Sequence, residues 1–401
     1  MPALDLFFSA AWFTRLWVVQ EVYGHACVVF YDRHEIPWNG ILLVANLLVE
    51  VSATERLTGL HTMNFYAPSH IEGAGQDPRA LLETFRNFKC SDPRDKVYAL
   101  LAFPFFSGLR PPIQPDYSKS VVTVFTETSI RVFICCQDLS LLSSIDHEHE
   151  IDEKWPSWVP RWDRSRTIQI LHMYASGRAQ SSLPRIEYES ESLTSEGVCI
   201  STVSWCGMVV EGGLENPAYY ESEFDTLRLP FGEWLSKYLS ETTQSIDEIL
   251  DSLAMTLTVG LDNESKCPPR DFSQFRADFV AYLVEILPSL DLLIPTQRLS
   301  QVLREQGLAG DPKRFYTAAI RGCGNKRLFS TQNGEFGVCP RAAQPGDIVV
   351  LLYGSNAPCL LRPKGSCYQY VGECYLHHQM HGEAIAMAAK GLLDIKKFEL
   401  R

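Results

Sequence analysis

The sequence predicts an α+β protein with mainly helical N-terminal and central regions and a small C-terminal antiparallel β-rich unit. Early in the chain, apolar residues recur at helical spacing, as in Val121, Val124 and Val132. The last third instead holds short runs rich in β-branched and aromatic residues, with glycines between them. Closely spaced strands of this kind favour a small barrel or meander.

The N-terminal region is predicted to consist of helical segments and one short strand. The i, i+3, i+4, i+7 spacing of one helix face is shown by Phe13, Leu16, Trp17 and Gln20. Asp92 is suited to cap a second block and Pro93 to occupy its first position, and Pro104 is expected to end it. The remaining predicted elements are the strand Ala26–Tyr31, the helix Trp38–Thr58 and a third block capped by Asp116 or Ser118.

Four regions follow from these patterns. They are a helical region at 1–145, a charged linker and tryptophan-rich strap at 146–196, a mixed but mainly helical region at 197–315, and the β-rich unit at 316–401. Prolines forbid a continuous helix in the strap, so its tryptophan rings are expected to fill apolar surface. The predicted strands of the last region are Arg327–Ser330, Glu335–Val338, Ile348–Leu352, Pro358–Arg362 and Tyr368–Tyr375.

Net charge, apolar stretches and cysteine spacing argue against a nucleic-acid-binding, membrane-spanning or disulfide-bonded secreted protein. The net charge of −12 disfavours binding to phosphate backbones, so we expect no nucleic-acid partner. No apolar stretch is long enough to span a bilayer, and no secretory signal opens the chain. The twelve cysteines form no CxxC pair, which favours reduced thiols. We therefore expect a cytoplasmic protein without a membrane span.

Five segments, in this order, resemble the fungal heterokaryon incompatibility (HET) family. They are Trp12–Glu21, Asp92–Leu101, Pro115–Lys119, Pro156–Trp162 and a C-terminal group from Gly346 to Ala384. Any one segment is weakly specific, whereas five in the family's order are specific. The motif residues, which we expect to be structural, are Trp12, Phe13, Arg15, Trp17, Gln20, Glu21, Asp92, Arg94, Asp95, Asp116, Tyr117, Trp158, Pro160, Trp162, Gly346, Asp347, Arg362, Pro363, Gly372, Glu373, Gly382 and Glu383.

The resemblance implies nonself recognition or regulated cell-death signalling through contacts with unidentified proteins. The family's HET domain opens well upstream with a Leu-Ser-Tyr and a Trp-Gly segment, and nothing before Trp12 supplies them. We therefore expect region 1–145 to carry a truncated HET domain, whose aromatic helix was shaped to be covered by missing protein. This favours a chain without enzymatic activity or cofactor, although the question stays open.

One enzymatic alternative follows from the same resemblance. HET domains have been compared with TIR domains, some of which cleave NAD, so a longer gene product would be a TIR-like effector. Glu21 is the only matching motif carboxylate for such a site, provided that desolvation tunes its pKa. The structural interpretation pairs Glu21 with Arg15 or a backbone donor.

Other charged clusters also have two interpretations. Arg94 either clamps an anion at a helix N-terminus or ties loops together, and the second is favoured. His147 and His149 lie in the charged linker, and His377 and His381 have i, i+4 spacing, but neither pair has the further ligands of a zinc site. We predict no metal site. Nucleophile elbows of the G-x-S-x-G kind and phosphate-binding glycine motifs are absent.

Overall fold

Two compact units make up the fold seen in a computed structural model of the chain. One comprises Met1–Cys136 and Val159–Arg166, and the other Gln137–Trp158 and Thr167–Arg401. Helices dominate the first unit and a β-sheet the second, which confirms the predicted α+β class. The structure describes residues 2–23, 27–54, 77–109, 111–147, 150–164, 171, 174, 176–177, 185–187, 192–211, 232, 246–286, 305 and 307–401.

The described residues of the first unit form helices and one hairpin. Its helices are α1 (Pro2–Phe8), α2 (Trp17–Val22), α3 (Trp38–Thr54), α4 (Pro78–Thr84), α5 (Asp95–Tyr98), α6 (Pro104–Gly108) and α7 (Val121–Cys136). The hairpin pairs β1 (Val28–Tyr31) with β2 (His34–Pro37). Helix α3 is amphipathic as predicted, because Trp38, Ile41 and Ala45 are buried at i, i+3, i+7.

The opening aromatic segment is not one helix, and this prediction was wrong. Ala11–Thr14 forms a 3-10 helix, Arg15 is extended, and α2 begins only at Trp17. At the break the chain pairs with a neighbouring segment. The Leu16 amide donates to the Lys89 carbonyl (2.9 Å), and the Lys89 amide donates to the Thr14 carbonyl (2.7 Å). This bridge replaces the hydrogen bonds that a continuous helix would have made there.

Two predicted helix boundaries also differ. Pro104 begins α6 instead of ending a helix, because its fixed φ and missing N–H suit the first helical position. Helix α7 begins at Val121, where the Ser120 hydroxyl accepts the Thr123 amide at 3.1 Å. Asp116, one of the two expected caps, instead accepts the Ser118 amide (2.9 Å) within a turn.

Strands of the second unit form a sheet that closes on itself. They are β3 (Arg185–Glu187), β4 (Ser192–Val209), β5 (Lys326–Thr331), β6 (Phe336–Pro340), β7 (Ile348–Leu352), β8 (Cys359–Lys364), β9 (Cys367–Glu373), β10 (Tyr375–Leu376) and β11 (Ile395–Leu400). Gly197 and Val198 of β4 pair with β11 and also with β7, so this strand has a partner on each edge. The path β4–β11–β9–β8–β7 therefore returns to β4 as a five-stranded barrel.

Two features of the barrel differ in detail from the antiparallel C-terminal unit that was predicted. Strand β11 runs parallel to β9, where Leu400 pairs with Tyr368. Strand β4 lies far upstream in the sequence, and Gly197 lets β7 approach it closely. A Cβ at Gly197 would lie 2.6 Å from the Leu351 carbonyl oxygen.

Helices of the second unit bury aromatic residues against the sheet. They are α8 (Ile246–Leu257), α9 (Phe272–Ile286), α10 (Pro312–Cys323) and α11 (Glu383–Ala389). The ring of Phe315 lies 4.8 Å from that of Phe279 and 5.4 Å from that of Tyr282, which joins α9 to α10. In neither unit is any described helix long and apolar enough to cross a membrane.

Candidate functional site

Three of the motif segments meet at the buried carboxylate of Asp95. The Trp17 indole Nε1 donates to its Oδ2 at 3.0 Å, and the Tyr117 hydroxyl donates to its Oδ1 at 2.7 Å. Asp95 stands at the first position of α5, Trp17 at the start of α2, and Tyr117 in the turn before α7. Because a buried carboxylate needs such donors, Asp95 fixes the three segments to one another.

Arg94 ties the same region together through its whole guanidinium group. Its Nε and Nη2 donate to Asp92 at 2.9 and 2.6 Å. Its Nη1 donates to the carbonyls of Tyr117 (2.5 Å) and Lys119 (2.7 Å), and the group lies 5.2 Å from the centre of the Tyr117 ring. These are the contacts of the loop-tying interpretation. An anion would have to compete with the Asp92 carboxylate.

The Asp95–Tyr117 bond leads to a testable pH dependence. The hydrogen bond to Asp95 raises the pKa of Tyr117 to about 12 in the folded protein, above the ordinary value of about 10. A raised pKa of a neutral acid contributes stability below pH 10 that is lost as the pH rises towards 12. Ultraviolet titration should therefore show one tyrosine that ionises near pH 12 only while the chain is folded. Tyr117→Phe should remove that step, and its persistence in the variant would contradict the assignment.

Glu21 does not share this environment. It is exposed near the C-terminal end of α2, and its backbone carbonyl accepts the Cys27 thiol at 3.3 Å. Among the described residues, no ion pair joins it to Arg15. Of its motif neighbours, Phe13 is buried, whereas Trp12, Trp17 and Gln20 are half-buried. Glu21 thus remains a catalytic prediction that rests on the motif alone.

The tryptophan-rich strap is buried as predicted. Trp158 and Trp162 are fully buried, and Val159 and Pro160 between them are buried as well. The ring of Trp162 packs edge-on against Phe125 at 5.0 Å. Arg86 holds the strap's end, since its guanidinium donates to the carbonyls of Arg161 (2.7 Å) and Arg164 (2.8 Å).

In the barrel, the motif residues Asp347 and Arg362 form a bidentate ion pair. Arg362 Nε donates to Asp347 Oδ1 at 2.9 Å, and its Nη2 donates to Oδ2 at 3.0 Å and to the Ala342 carbonyl at 2.8 Å. The Gln344 amide also donates to Asp347, whose carboxylate is almost fully buried. Gly346 takes a left-handed φ of 95° just before it, and Pro363 continues β8 after Arg362. The pair fixes the turn before β7 to β8.

A second motif carboxylate, Glu373, lies at the end of β9 in a buried polar group. Its Oε1 accepts the Ser143 hydroxyl at 2.5 Å, and the Asn356 amide donates to the same hydroxyl at 2.9 Å. Gly372 beside it has a φ of 142°, and a Cβ there would lie 2.7 Å from a Pro340 side-chain atom. Sequence reasoning missed Ser143 and Asn356, because neither lies in a recognisable motif. Glu373 also lines a cleft in this unit.

The histidines near the C-terminus do not form a helical zinc pair. His377–Gln379 is a single 3-10 turn, and Gly382 takes a left-handed φ of 92° before α11, where Glu383 accepts the His381 amide at 2.8 Å. The His377 Nδ1 lies 3.1 Å from the Tyr375 hydroxyl. Burial, followed by His378 and His381, lowers the pKa of His377 to about 4, so it is neutral near pH 7.

Metal-ligand geometry is therefore not visible in the parts of the chain that the structure describes. No group of three or more His, Cys, Asp or Glu side chains there is placed to hold a metal ion. His147 is half-buried, and its Nε2 donates to the Tyr370 carbonyl at 3.0 Å. His149 lies outside the described residues.

Comparison with known proteins adds to these findings. Residues 301–391, which include β5 to β10, match the family model of the Het-6 β-barrel domain. The chain is 24% identical over 334 residues to heterokaryon incompatibility protein 6, OR allele, of Neurospora crassa, across 73% of this chain and 49% of that protein. It thus spans about half the length of this curated relative, and no solved structure matches it. The matched barrel domain and this relative both support the resemblance to the heterokaryon incompatibility family that the five motif segments carry.

Proposed function

We propose that this protein acts in nonself recognition or regulated cell-death signalling by binding another protein, without an active site of its own. The observation that carries the proposal is the exposure of large apolar side chains in the first unit. Phe30 of β1 is 71% exposed, and Leu43 and Leu47, one turn apart on α3, are 62% and 52% exposed. Large apolar side chains that stay exposed are candidates for surfaces that bind other proteins.

The burial and the hydrogen bonds of the charged motif residues support the same proposal. Asp95 and Asp347 are buried, and each accepts hydrogen bonds on both carboxylate oxygens. Arg94 and Arg362 are both occupied by carboxylates and carbonyls. Groups held in this way stabilise a scaffold more readily than they react with a substrate, so the motif favours a structural role.

Charged substitutions at the exposed apolar residues Phe30 and Leu47 should abolish the incompatibility reaction. Each of Phe30→Asp and Leu47→Asp replaces an exposed apolar side chain with a carboxylate, which a partner's apolar surface would have to desolvate on binding. We expect the double variant to lose an incompatibility reaction, scored as cell death after fusion of fungal strains that carry and lack the gene. Leu392→Asp, at an exposed leucine of the second unit (66%), is the matched control and should keep it. A double variant that accumulates normally and still kills would contradict the proposal.

An assay for nicotinamide release separates this proposal from the TIR-like alternative. Incubation of the purified chain with NAD is expected to yield no nicotinamide above that of heat-denatured protein. Release that Glu21→Gln abolishes would instead establish the enzymatic alternative and would overturn binding without catalysis.

A further inference from the structure

Two thiols of the second unit, Cys206 on β4 and Cys339 on β6, lie in contact with each other. Cys206 pairs in register with Phe329 of β5, and Cys339 pairs with Arg327, two residues earlier on the same strand. Residues two apart on a strand share a face of the sheet, and so do residues that lie opposite one another. Both cysteines therefore lie on one face, where the Cys339 thiol donates a hydrogen bond to the sulfur of Cys206.

The two thiols differ in their access to solvent. Cys206 is half-buried and packs against an apolar core cluster of which Cys339 is a fully buried member. The hydrogen bond from Cys339, helped by the charge of Arg327, lowers the pKa of the Cys206 thiol, although burial opposes it. Burial raises the pKa of Cys339 well above its ordinary value, and Arg327 opposes that rise. The more accessible thiol is thus also the one that more easily becomes a thiolate, which is the reactive form.

Arg327 lies beside both sulfurs. Its Nε donates to the Gly207 carbonyl at 2.7 Å and its Nη1 donates to the Ala343 carbonyl at 3.0 Å, which fixes the guanidinium group in place. A thiolate is the attacking group both on a peroxide and on an oxidised sulfur. A fixed cation next to both sulfurs therefore favours each of these two steps.

A bond between the two sulfurs would cross β5, because this strand lies between β4 and β6. The sulfurs would have to move from hydrogen-bond contact to about 2.05 Å, so the backbone must yield. The pairing of β4 with β5 is irregular between Cys206 and Val209, where β4 has one residue more than its partner. Residues of such a bulge are not held by a regular ladder of hydrogen bonds, so β4 has room to shift at this point.

We propose that Cys206 and Cys339 form a redox-sensitive pair that a hydroperoxide converts into a disulfide. The Cys206 thiolate attacks the peroxide, the O–O bond breaks, and Cys206 becomes a sulfenic acid while the other oxygen leaves as water or an alcohol after taking up a proton. Cys339 then loses its proton and attacks the Cys206 sulfur, which forms the S–S bond and releases water. The two electrons that reduce the peroxide come from the two thiols. This device goes beyond the proposed function.

Mass spectrometry of the full chain tests the proposal. The reduced protein is treated with one equivalent of hydrogen peroxide, the remaining thiols are blocked with N-ethylmaleimide, and the chain is digested. We expect the main linked species to join the Cys206 and Cys339 peptides and to disappear on treatment with dithiothreitol. The same treatment of the chain unfolded in guanidinium should lose the preference for this pair, because the contact between the two sulfurs depends on the fold.

Variants separate the roles of the two thiols. Cys206→Ser should abolish the link, whereas Cys135→Ser, which removes an exposed thiol of the first unit, is the matched control and should keep it. Cys339→Ala should leave Cys206 as a sulfenic acid that dimedone traps. Circular dichroism verifies that each variant is folded. Because Cys339 is fully buried, dimedone is also added to the unaltered chain during oxidation, where it should label Cys206 in competition with the link.

Three results would overturn the proposal. They are a main link between any other two of the twelve cysteines, oxidation of Cys135 while Cys206 stays reduced, and equal yields of the link from the folded and the unfolded chain. None of them bears on the apolar surface of the first unit, so this proposal and the proposed function fail independently.

Discussion

Replacing Arg362 by methionine is expected to lower the free energy of unfolding of the barrel unit by about 3–5 kcal/mol. The substitution keeps most of the side chain's volume but removes both hydrogen bonds to Asp347, which is 1% exposed. A carboxylate left buried without its counter-charge must be desolvated uncompensated or take up a proton. Guanidinium unfolding followed by circular dichroism measures the loss.

Two further variants show whether the charge is the cause. Lys364→Met breaks the pair of the same strand with Glu153, in which both side chains are at least half exposed, and should cost no more than about 1 kcal/mol. The double variant Asp347→Leu, Arg362→Met removes both charges and should recover most of the loss. An Arg362→Met variant as stable as Lys364→Met would show that the buried pair contributes no more than a surface pair.

A similar loss, about 3–5 kcal/mol, is expected in the first unit for Trp162→Ala. The indole is fully buried against Phe125, so its removal leaves a cavity that the strap, held by Arg86, can fill only in part. Thermal or guanidinium unfolding of the transition that belongs to this unit provides the measurement.

Trp162→Phe is the matched variant, because the Trp162 Nε1 has no hydrogen-bond partner among the described residues. Phenylalanine therefore loses packing area but no hydrogen bond, and its cost should be clearly smaller than that of alanine. Equal losses for alanine and phenylalanine would indicate an unrecognised partner of the indole nitrogen and not a packing role.

Sequence reasoning succeeded where structure depends on near neighbours. The strands β5 to β8 lie within a residue or two of their predicted bounds, because alternating apolar residues and turn glycines are local signals. Gly334 and Gly365, both with positive φ, stand in the turns where they were expected. The aromatic strap was also predicted to be buried, since proline and tryptophan constrain it directly.

Predictions from the sequence were wrong or incomplete where the local structure depends on residues far away in the chain. The break at Arg15 exists because Lys89 pairs with the chain there, and nothing within the motif signals that partner. For the same reason, Asp347 and Arg362 were recognised singly but not as a pair. Ser143 was not recognised at all, although it is hydrogen-bonded to Glu373 across more than two hundred residues of chain.

The double pairing of β4 has a consequence for synthesis on the ribosome. Ser192–Val209 leaves the exit tunnel early, but β11, which covers one of its edges, is the last strand made. Until Ile395–Leu400 arrives, β4 and β9 each expose an unpaired edge, which is a template for association with other nascent chains. A chain terminated before Ile395 should accordingly aggregate during translation, even though it contains the whole matched domain at 301–391.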